Sequence, residues 1–411
     1  MDRGRLRLPL AMAAVLAAAE GAAVLLRPRS GVIRAAPVDA GSYFSATEIQ
    51  RARAFRRPQL ALHGANVLIE ATVLAALARR PPDVLRRPRK RPLLAGAAAA
   101  AGLSAGLGAA TLPASALARR RSLAAGLATQ SWRGWAADSA KAGAISAGIA
   151  GAGAAGLLGL VRRRPDGWWA PAAAAAVGAG VLFTAVAPVV LDPVFNRFDP
   201  LPDGETRRAV LSLSEAAGVR VREVYRVDAS RRTTAANAYV AGLGATKRVV
   251  LYDTLLDGFT PEEVRLVVAH ELAHVRHRDL PRGLAFLALT APAATLAAQR
   301  LAERLTPGPD ASLAGAGPAA LPALALGFGA ASVLVSAGSR QLSRRIEARA
   351  DTFALMLTGA PEPFISFERR IALLNLADPD PPAWLVRMLA THPPTVERIG
   401  IGVAYRDGAR A

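Results

Sequence analysis

The sequence predicts a mainly α-helical, polytopic membrane protein with seven spans and a small α+β domain formed from two polar blocks. Three observations predict this fold class. Apolar residues make up 52% of the 411 residues, and the mean hydropathy is positive at +0.26. Seven apolar stretches approach or exceed the roughly 18 to 20 residues that a helix needs to cross a bilayer. Two long polar stretches stand apart from them and carry the charge and periodicity of folded protein.

The spans and the polar blocks divide the chain into four predicted parts. Residues 1–190 hold spans one to five, 191–281 form the first polar block, 282–338 hold spans six and seven, and 339–411 form the second polar block. The composition changes sharply at Leu191. The proline-punctuated segment that follows, Asp192 to Leu201, is typical of a chain leaving the membrane for a folded domain.

Seven stretches are predicted to cross the membrane. They are 8–26, 63–78, 92–118, 140–161, 168–190, 283–302 and 318–337. The first follows three arginines and could be a cleaved signal peptide, but the number of further spans favours a retained helix. Ser45 is predicted to begin a short amphipathic helix in the polar connector 27–62. The second span is the most polar, and we expect its His63 to line a polar cavity, with metal binding as the alternative.

The net charge of +20 limits the classes of partner. Most of the arginines stand in short connectors between apolar runs, such as Arg119–Arg121 and Arg162–Arg164. Basic proteins often bind nucleic acid, but no basic amphipathic helix or aromatic-interleaved stripe is present. Lipid headgroups are therefore the favoured partners, and no nucleic acid is expected. The chain has no cysteine, which excludes disulfides, thiolate metal sites and a cysteine nucleophile.

The first polar block is predicted to contain a helix and a small sheet. A helix is expected from about Gly204 to Ala217, closed by Gly218. Alternating apolar residues from Val219 to Val227 predict a strand, and 237–241 and 248–252 predict two more, joined by a turn at 242–245. Such a sheet can offer an edge to which an extended peptide pairs.

A metal-binding motif follows the predicted sheet. His270 and His274 stand four apart in a helix that Thr260 is predicted to cap, so both imidazoles leave one face of the helix. Glu271 lies beside that face and can take a proton from a metal-activated water. His-Glu-x-x-His in a helix is the zinc-peptidase pattern. The alternative, two core histidines spaced by chance, is disfavoured in this helical context.

The second polar block supplies the remaining candidate residues. Glu347 is predicted to be the third zinc ligand, and Asp351, one turn further on, to accept the N–H of a ligating histidine. An exposed helix with i,i+4 charges is the alternative. His392 precedes two prolines and could donate to an oxyanion, with Arg398 either assisting it or holding a carboxylate. A surface turn is the alternative for that segment.

Together these residues resemble the type I CAAX prenyl protease family of integral-membrane zinc metallopeptidases. The parts that carry the resemblance are Asp192 to Leu201, Asn237 to Gly244, the motif at 270–274, Glu347 with Asp351, and Thr391 to Pro394 with Arg398. The resemblance implies one zinc ion held by His270, His274 and Glu347, with Glu271 as general base. It implies that Asn237 contacts the substrate backbone, and that His392 and Arg398 stabilise the transition state. It also implies an intramembrane chamber walled by the spans.

The function predicted on these grounds is hydrolysis of peptide bonds by a membrane-embedded zinc metalloendopeptidase. Peptide or protein substrates and the lipid bilayer are the expected partners. The arginine-bearing connectors on the two sides of the membrane do not settle its orientation, whereas the resemblance implies a multi-pass protein of the cell (inner) membrane with catalytic blocks in the cytoplasm. Two alternatives remain: a quality-control endopeptidase of the heat-shock type, which has fewer spans, and a zinc-binding scaffold or transporter without turnover.

Overall fold

The structure is a computed structural model that describes residues 3–87, 90–242, 244, 247–306 and 313–408. Most of the described chain is helical. Ten helices precede or include the His-Glu-x-x-His motif: α1 (Arg3–Leu26), α2 (Ala46–Arg79), α3 (Asp83–Arg86), α4 (Pro92–Ala124), α5 (Trp132–Arg163), α6 (Trp169–Val186), α7 (Asp192–Phe195), α8 (Glu205–Ala216), α9 (Asp253–Gly258) and α10 (Pro261–Arg276). Six follow it: α11 (Asp279–Leu305), α12 (Leu313–Ala316), α13 (Leu321–Thr358), α14 (Pro361–Leu374), α15 (Ala383–Leu389) and α16 (Thr395–Gly408).

Seven helical segments of the described chain are long and apolar enough to cross a membrane. They are Arg7–Leu26, Ala46–Arg79, Pro92–Ala124, Trp132–Arg163, Trp169–Phe195, Asp279–Leu305 and Gly317–Thr358. Each overlaps one of the seven predicted stretches almost completely, so the predicted number of spans is confirmed. Large apolar side chains on these helices are exposed, for example Leu68 at 68% and Leu182 at 64%. Such exposure is what a lipid-facing surface requires.

The second span is longer than the sequence predicted. Ser45 caps α2 as expected, because its hydroxyl accepts from the backbone N–H of Glu48 while the Glu48 carboxylate accepts from the Ser45 N–H. The prediction that this helix is short was wrong. It continues through Pro58 to Arg79 as one helix of 34 residues. Its arginine-bearing first turns therefore extend the span beyond the apolar segment.

Helix α13 connects the membrane region to the second polar block. Its 38 residues span about 57 Å, nearly twice the thickness of a bilayer's hydrocarbon core. Two glycines let it pack closely against its neighbours. A Cβ at Gly327 would lie 2.6 Å from the backbone oxygen of Ala298 on α11, and one at Gly338 would lie 2.5 Å from that of Ala19 on α1. The sequence predicted that the membrane region ends at residue 338 and that the second polar block begins there. Helix α13 continues without a break across this boundary.

The sheet has four strands: β1 (Phe198–Pro200), β2 (Glu223–Val227), β3 (Ala238–Ala241) and β4 (Arg248–Tyr252). Their order is β1-β2-β4-β3, with β2 and β4 parallel and the other two pairs antiparallel. Three of these strands were predicted, and β1 was not. Strand β3 lies at one edge of the sheet, next to α10. Leu243 and Ala245 of the predicted turn lie outside the described residues.

One hydrophobic core joins the two polar blocks into a single α+β unit. It includes Val210 of α8, Val249 of β4, Leu272 of α10, Leu355 of α13, Phe364 of α14 and Ile401 of α16. Because α10 comes from the first block and α13, α14 and α16 from the second, the core places the predicted site residues of both blocks side by side. The predicted α+β domain of two polar blocks is therefore confirmed.

Candidate active site

The helix that carries the motif begins where the sequence predicted. The Thr260 hydroxyl accepts from the backbone N–H of Glu263, whose carboxylate accepts from the Thr260 N–H at 2.9 Å, and Pro261 occupies the first turn. This capping box fixes the start of α10, and thus the direction in which His270 and His274 leave it. Leu272 and Ala273, on the opposite side, are fully buried in the core.

Three side-chain atoms that can ligate a metal ion lie close together between α10 and α13. His270 Nε2 lies 3.3 Å from His274 Nε2 and 3.1 Å from Glu347 Oε2, and His274 Nε2 lies 3.8 Å from the same oxygen. Metal–ligand bonds of about 2.0–2.1 Å at tetrahedral angles place neighbouring ligand atoms about 3.3 Å apart. The spacing of these atoms therefore fits a single tetrahedral metal ion with one coordination position left for a non-protein ligand.

The imidazole of His270 is held in place by a buried carboxylate. Its Nδ1 donates to Asp351 Oδ1 at 2.9 Å, which turns Nε2 toward the point of convergence. Asp351 is fully buried and also accepts two hydrogen bonds from Arg398, from Nε at 2.8 Å and from Nη2 at 2.6 Å. A buried carboxylate needs such a cation, since an unpaired buried charge is strongly unfavourable. The structure thus places Arg398 where it holds a carboxylate, one of its two predicted roles.

His274 has an equivalent partner that sequence reasoning missed. Its Nδ1 donates to Asp279 Oδ2 at 3.1 Å, and Asp279 also accepts from Arg349 and Arg282. Arg278, between the two helices, has a left-handed φ of 56°, so the chain reverses and the first residue of α11 reaches back to α10. The available signal was an aspartate five residues past the motif, at the start of the next helix.

Glu271 faces a small cavity beside the converging donors. The cavity has a volume of about 130 Å³, and Asn237, His392 and Arg398 line it together with Glu271. Burial raises the pKa of Glu271 above that of an ordinary glutamate. Within the described ranges its carboxylate makes no hydrogen bond or ion pair, so it is free to accept a proton from a molecule in the cavity.

His392 comes close to the same three donors. Its Nε2 lies 3.2 Å from Glu347 Oε2, and its Nδ1 lies 3.0 Å from the hydroxyl of Thr391. Burial lowers the pKa of His392, which favours the neutral imidazole. Because the Glu347 carboxylate can only accept, the neutral ring carries its proton on Nε2, on the side of the site, and Nδ1 is left to accept from the Thr391 hydroxyl.

Glu368 on α14 is the second residue that sequence reasoning missed. Its side chain is 2% exposed, and Oε2 pairs with Arg398 Nη1 at 2.8 Å. Burial raises the pKa of Glu368 to about 7, even though Arg398 opposes this shift, because the guanidinium is shared with Asp351. A glutamate next to two arginines on an amphipathic helix gave no sequence signal of this contact, because such a group usually lies on the solvated face.

The chain combines seven candidate spans, a His-Glu-x-x-His helix and a glutamate placed as a third metal ligand. These features define the class of integral-membrane metallopeptidases. The comparisons with known proteins agree. The profile of Peptidase family M48 matches residues 200–400. The chain is 31% identical over 292 residues to the protein named Uncharacterized metalloprotease YhfN of Bacillus subtilis, a match that covers 70% of this chain and 68% of that protein.

Two further relatives relate the chain to the prenyl protease branch. CAAX prenyl protease 1 of Saccharomyces cerevisiae is 39% identical over 95 residues, which span 23% of this chain and 21% of that protein. The crystal structure of S. mikatae Ste24p superposes with a TM-score of 0.74 at 17% identity and covers 98% of this chain and 99% of that one. The chain belongs to peptidase family M48 and is a membrane metalloprotease.

Proposed function

We propose that this chain is a zinc metalloendopeptidase whose site is assembled between α10 and α13. The convergence of His270 Nε2, His274 Nε2 and Glu347 Oε2 carries the proposal. Each imidazole has its Nδ1 bound to a carboxylate, so each Nε2 is left to ligate a metal ion. This carboxylate–histidine arrangement is the usual support of zinc-ligating histidines.

One zinc ion per chain is the metal that the donor set fits best. Two imidazoles and one carboxylate with an open fourth position are typical of catalytic zinc sites. When bound, zinc supplies Lewis-acid chemistry, because it polarises a carbonyl and brings the pKa of a water toward about 7. The remaining catalytic tasks belong to the chain's own residues.

Glu271 acts as the general base. It accepts a proton from the attacking water and later passes that proton to the leaving amine. Its raised pKa supports both transfers, since a base whose pKa lies closer to neutral pH also serves as an acid in the second step. The free carboxylate in a cavity of about 130 Å³ leaves room for a water molecule.

His392 stabilises the oxyanion that develops as water attacks the scissile carbonyl. Its Nε2–H is directed at the site and is held there by the Thr391 hydroxyl on Nδ1. Arg398 adds positive charge to the cavity wall while it holds Asp351, so it assists the transition state mainly through the orientation of His270.

The substrate backbone runs along the edge of the sheet. Asn237 immediately precedes β3, and its side-chain oxygen accepts from the N–H of Ala238 at 2.9 Å. The amide nitrogen of Asn237 remains to donate to a peptide carbonyl in the cavity that Glu271 lines. An extended peptide that pairs with β3 would pass directly beside α10.

The four-part organisation follows from the same reasoning. Residues 191–281 and 339–411 form the catalytic blocks, and 1–190 with 282–338 form the membrane region. We place the protein in the cell (inner) membrane with the catalytic blocks on the cytoplasmic side. The resemblance to the type I CAAX prenyl proteases supports this orientation, whereas the arginine-bearing connectors on both sides of the membrane do not decide it.

The test compares wild-type protein with Glu271→Gln, both purified in detergent, for zinc content and for cleavage of a peptide panel. We expect both to bind one zinc ion, and only the wild type to cleave, with the variant slower by at least about 100-fold. A matched control is Glu262→Gln on the first turn of the same helix, which leaves the site untouched. If Glu271→Gln cleaves as fast as the wild type, the assigned general base is wrong.

A further inference from the structure

A large cavity opens from the active site toward the start of α2. It has a volume of about 1300 Å³, and its walls are α2, the end of α14, the loop 377–382, α15 and the segment 390–395. His392, Arg398 and Glu368 line both this cavity and the small cavity that contains Glu271. The two cavities therefore adjoin at these three side chains, so a peptide that extends past them from Glu271 enters the larger space.

Two arginines of α2 face this space without a partner. Arg53, Arg56, Arg57, Leu60 and Ala61 line the cavity with the i, i+3, i+4, i+7 and i+8 spacing of one helix face. Arg53 is already bound, because its Nε donates to Asp378 at 3.0 Å and its Nη2 to the backbone oxygen of Asp380. Arg56 and Arg57 are exposed, and in the part of the chain that the structure describes neither makes a hydrogen bond or ion pair.

The other charges that line the cavity do not neutralise this pair. Four other charged groups of the cavity wall are already paired, Arg398 with Glu368 and Arg53 with Asp378, and Asp351, behind the wall, also binds Arg398. Asp380 alone remains as a free acid against two free guanidinium groups. The rest of the wall is largely apolar, with Trp384 and Leu389 both exposed to the cavity. A peptide that combines apolar side chains with one carboxylate fits this lining.

We propose that Arg56 and Arg57 form a carboxylate-binding subsite for the peptide substrate, in the part of the cavity that α2 lines. The bound group is either the free C-terminal carboxylate of the substrate or an acidic side chain. A guanidinium group suits both, because it binds a carboxylate through two parallel hydrogen bonds. The inference rests on the proposed peptidase function and adds the chemical class of the substrate.

The test measures binding as well as cleavage. The binding measurement uses full-length Glu271→Gln protein in detergent, with and without Arg56→Gln/Arg57→Gln, and labelled peptides of one apolar sequence. The peptides end in a free carboxylate, in an amide, or in an amide with one internal glutamate at increasing distance from the scissile bond. Arg51→Gln is the matched control, since Arg51 is exposed on the same helix end but does not line the cavity.

We expect one of the two carboxylate forms to bind about tenfold more tightly than the uncharged amide, and to lose this advantage in Arg56→Gln/Arg57→Gln and in about 0.5 M salt. In cleavage by the otherwise wild-type chain, the same loss should appear in KM, with kcat changed by less than about twofold. The form that shows the advantage identifies the source of the carboxylate.

Three results would overturn the inference. The carboxylate advantage could persist in the double variant, which would leave the two arginines to another anion such as a lipid phosphate. It could fall equally in Arg51→Gln, which would indicate general attraction to a basic surface. It could be absent from the binding data altogether. If peptides bind with the expected preference but the chain with an intact Glu271 does not cleave them, the proposed peptidase function fails and the carboxylate-binding subsite stands.

Discussion

Replacing Asp351 by asparagine tests how the site is held together. The substitution keeps the side-chain shape and removes the charge. Asp351 accepts from His270 Nδ1 and from two nitrogens of Arg398, and its side chain has no solvent exposure. Asparagine has one accepting oxygen, so its NH₂ group must face an N–H of His270 or Arg398. At least one of the three hydrogen bonds is then replaced by two opposed donors.

Two magnitudes follow from this geometry. Loss of the carboxylate behind a zinc-ligating histidine lowers metal affinity about 10- to 100-fold. Removing one partner of a buried ion pair destabilises a protein by about 3–5 kcal/mol, and the lower end applies because Arg398 keeps Glu368 as a partner. Zinc affinity is measured by competition with a chromogenic chelator, and stability by thermal unfolding in detergent.

Glu368→Gln is the matched control for this variant. It breaks the other ion pair of Arg398 but leaves the bond between Asp351 and His270 intact. We expect it to change zinc affinity by less than about threefold, because the carboxylate that supports His270 stays in place. The reasoning is refuted if Asp351→Asn binds zinc as tightly as the wild type, or if Glu368→Gln loses as much zinc affinity as Asp351→Asn.

Three further predictions concern other parts of the fold. Asp279→Asn should weaken zinc binding about tenfold, because it removes the acceptor of His274 Nδ1, and unchanged chelator competition would contradict this. Gly338→Ala should lower the unfolding temperature, since overpacking costs about 1–3 kcal/mol, whereas Gly329→Ala on the same helix has open space and should not. Burial raises the pKa of Glu368 to about 7. Between about pH 4.5 and 7 this carboxyl group is therefore protonated more often in the folded chain than in the unfolded chain. Its contribution to the free energy of unfolding falls as the pH rises through that window. Glu368→Gln should therefore flatten the dependence of the unfolding temperature on pH, and an unchanged slope would show that another group causes it.

The ligand set could be predicted from sequence because helical spacing places its members in pairs and few other residues could complete the site. His270 and His274, and likewise Glu347 and Asp351, stand four residues apart, which places each pair on one face of a helix whatever the rest of the fold does. The shortage of other histidines and the absence of cysteine then left few residues to complete the site. The roles of these residues stay predictions until the variants are measured.

Asp279 and Glu368 could not be predicted because tertiary packing alone determines their partners. Asp279 reaches His274 through the left-handed turn at Arg278. Glycine or asparagine usually occupies such a turn, so an arginine there gave no reason to predict one. Glu368 reaches Arg398 because α14 and α16 pack together, across 30 residues of chain. Neither contact can be predicted from the spacing of residues within one helix.

The length of α2 was mispredicted for a related reason. Its first turns are rich in arginine and contain Pro58, a composition that is typical of a connector. The capping box at Ser45 and the contacts of Arg53 with the 378–380 loop stabilise these turns as helix. Tertiary contacts thus override the local signal, and they also place Arg56 and Arg57 at the wall of the cavity that adjoins the active site.

The most direct test of the zinc site is an X-ray absorption spectrum at the zinc edge, recorded on the zinc-loaded chain in detergent. We predict one zinc ion per chain, with two imidazole nitrogens at about 2.0–2.1 Å and oxygen ligands at about 2.0–2.2 Å. His274→Gln should remove half of the imidazole signal. A chain that binds no zinc, or a spectrum that His274→Gln leaves unchanged, would contradict the assignment of His270, His274 and Glu347 as the metal ligands.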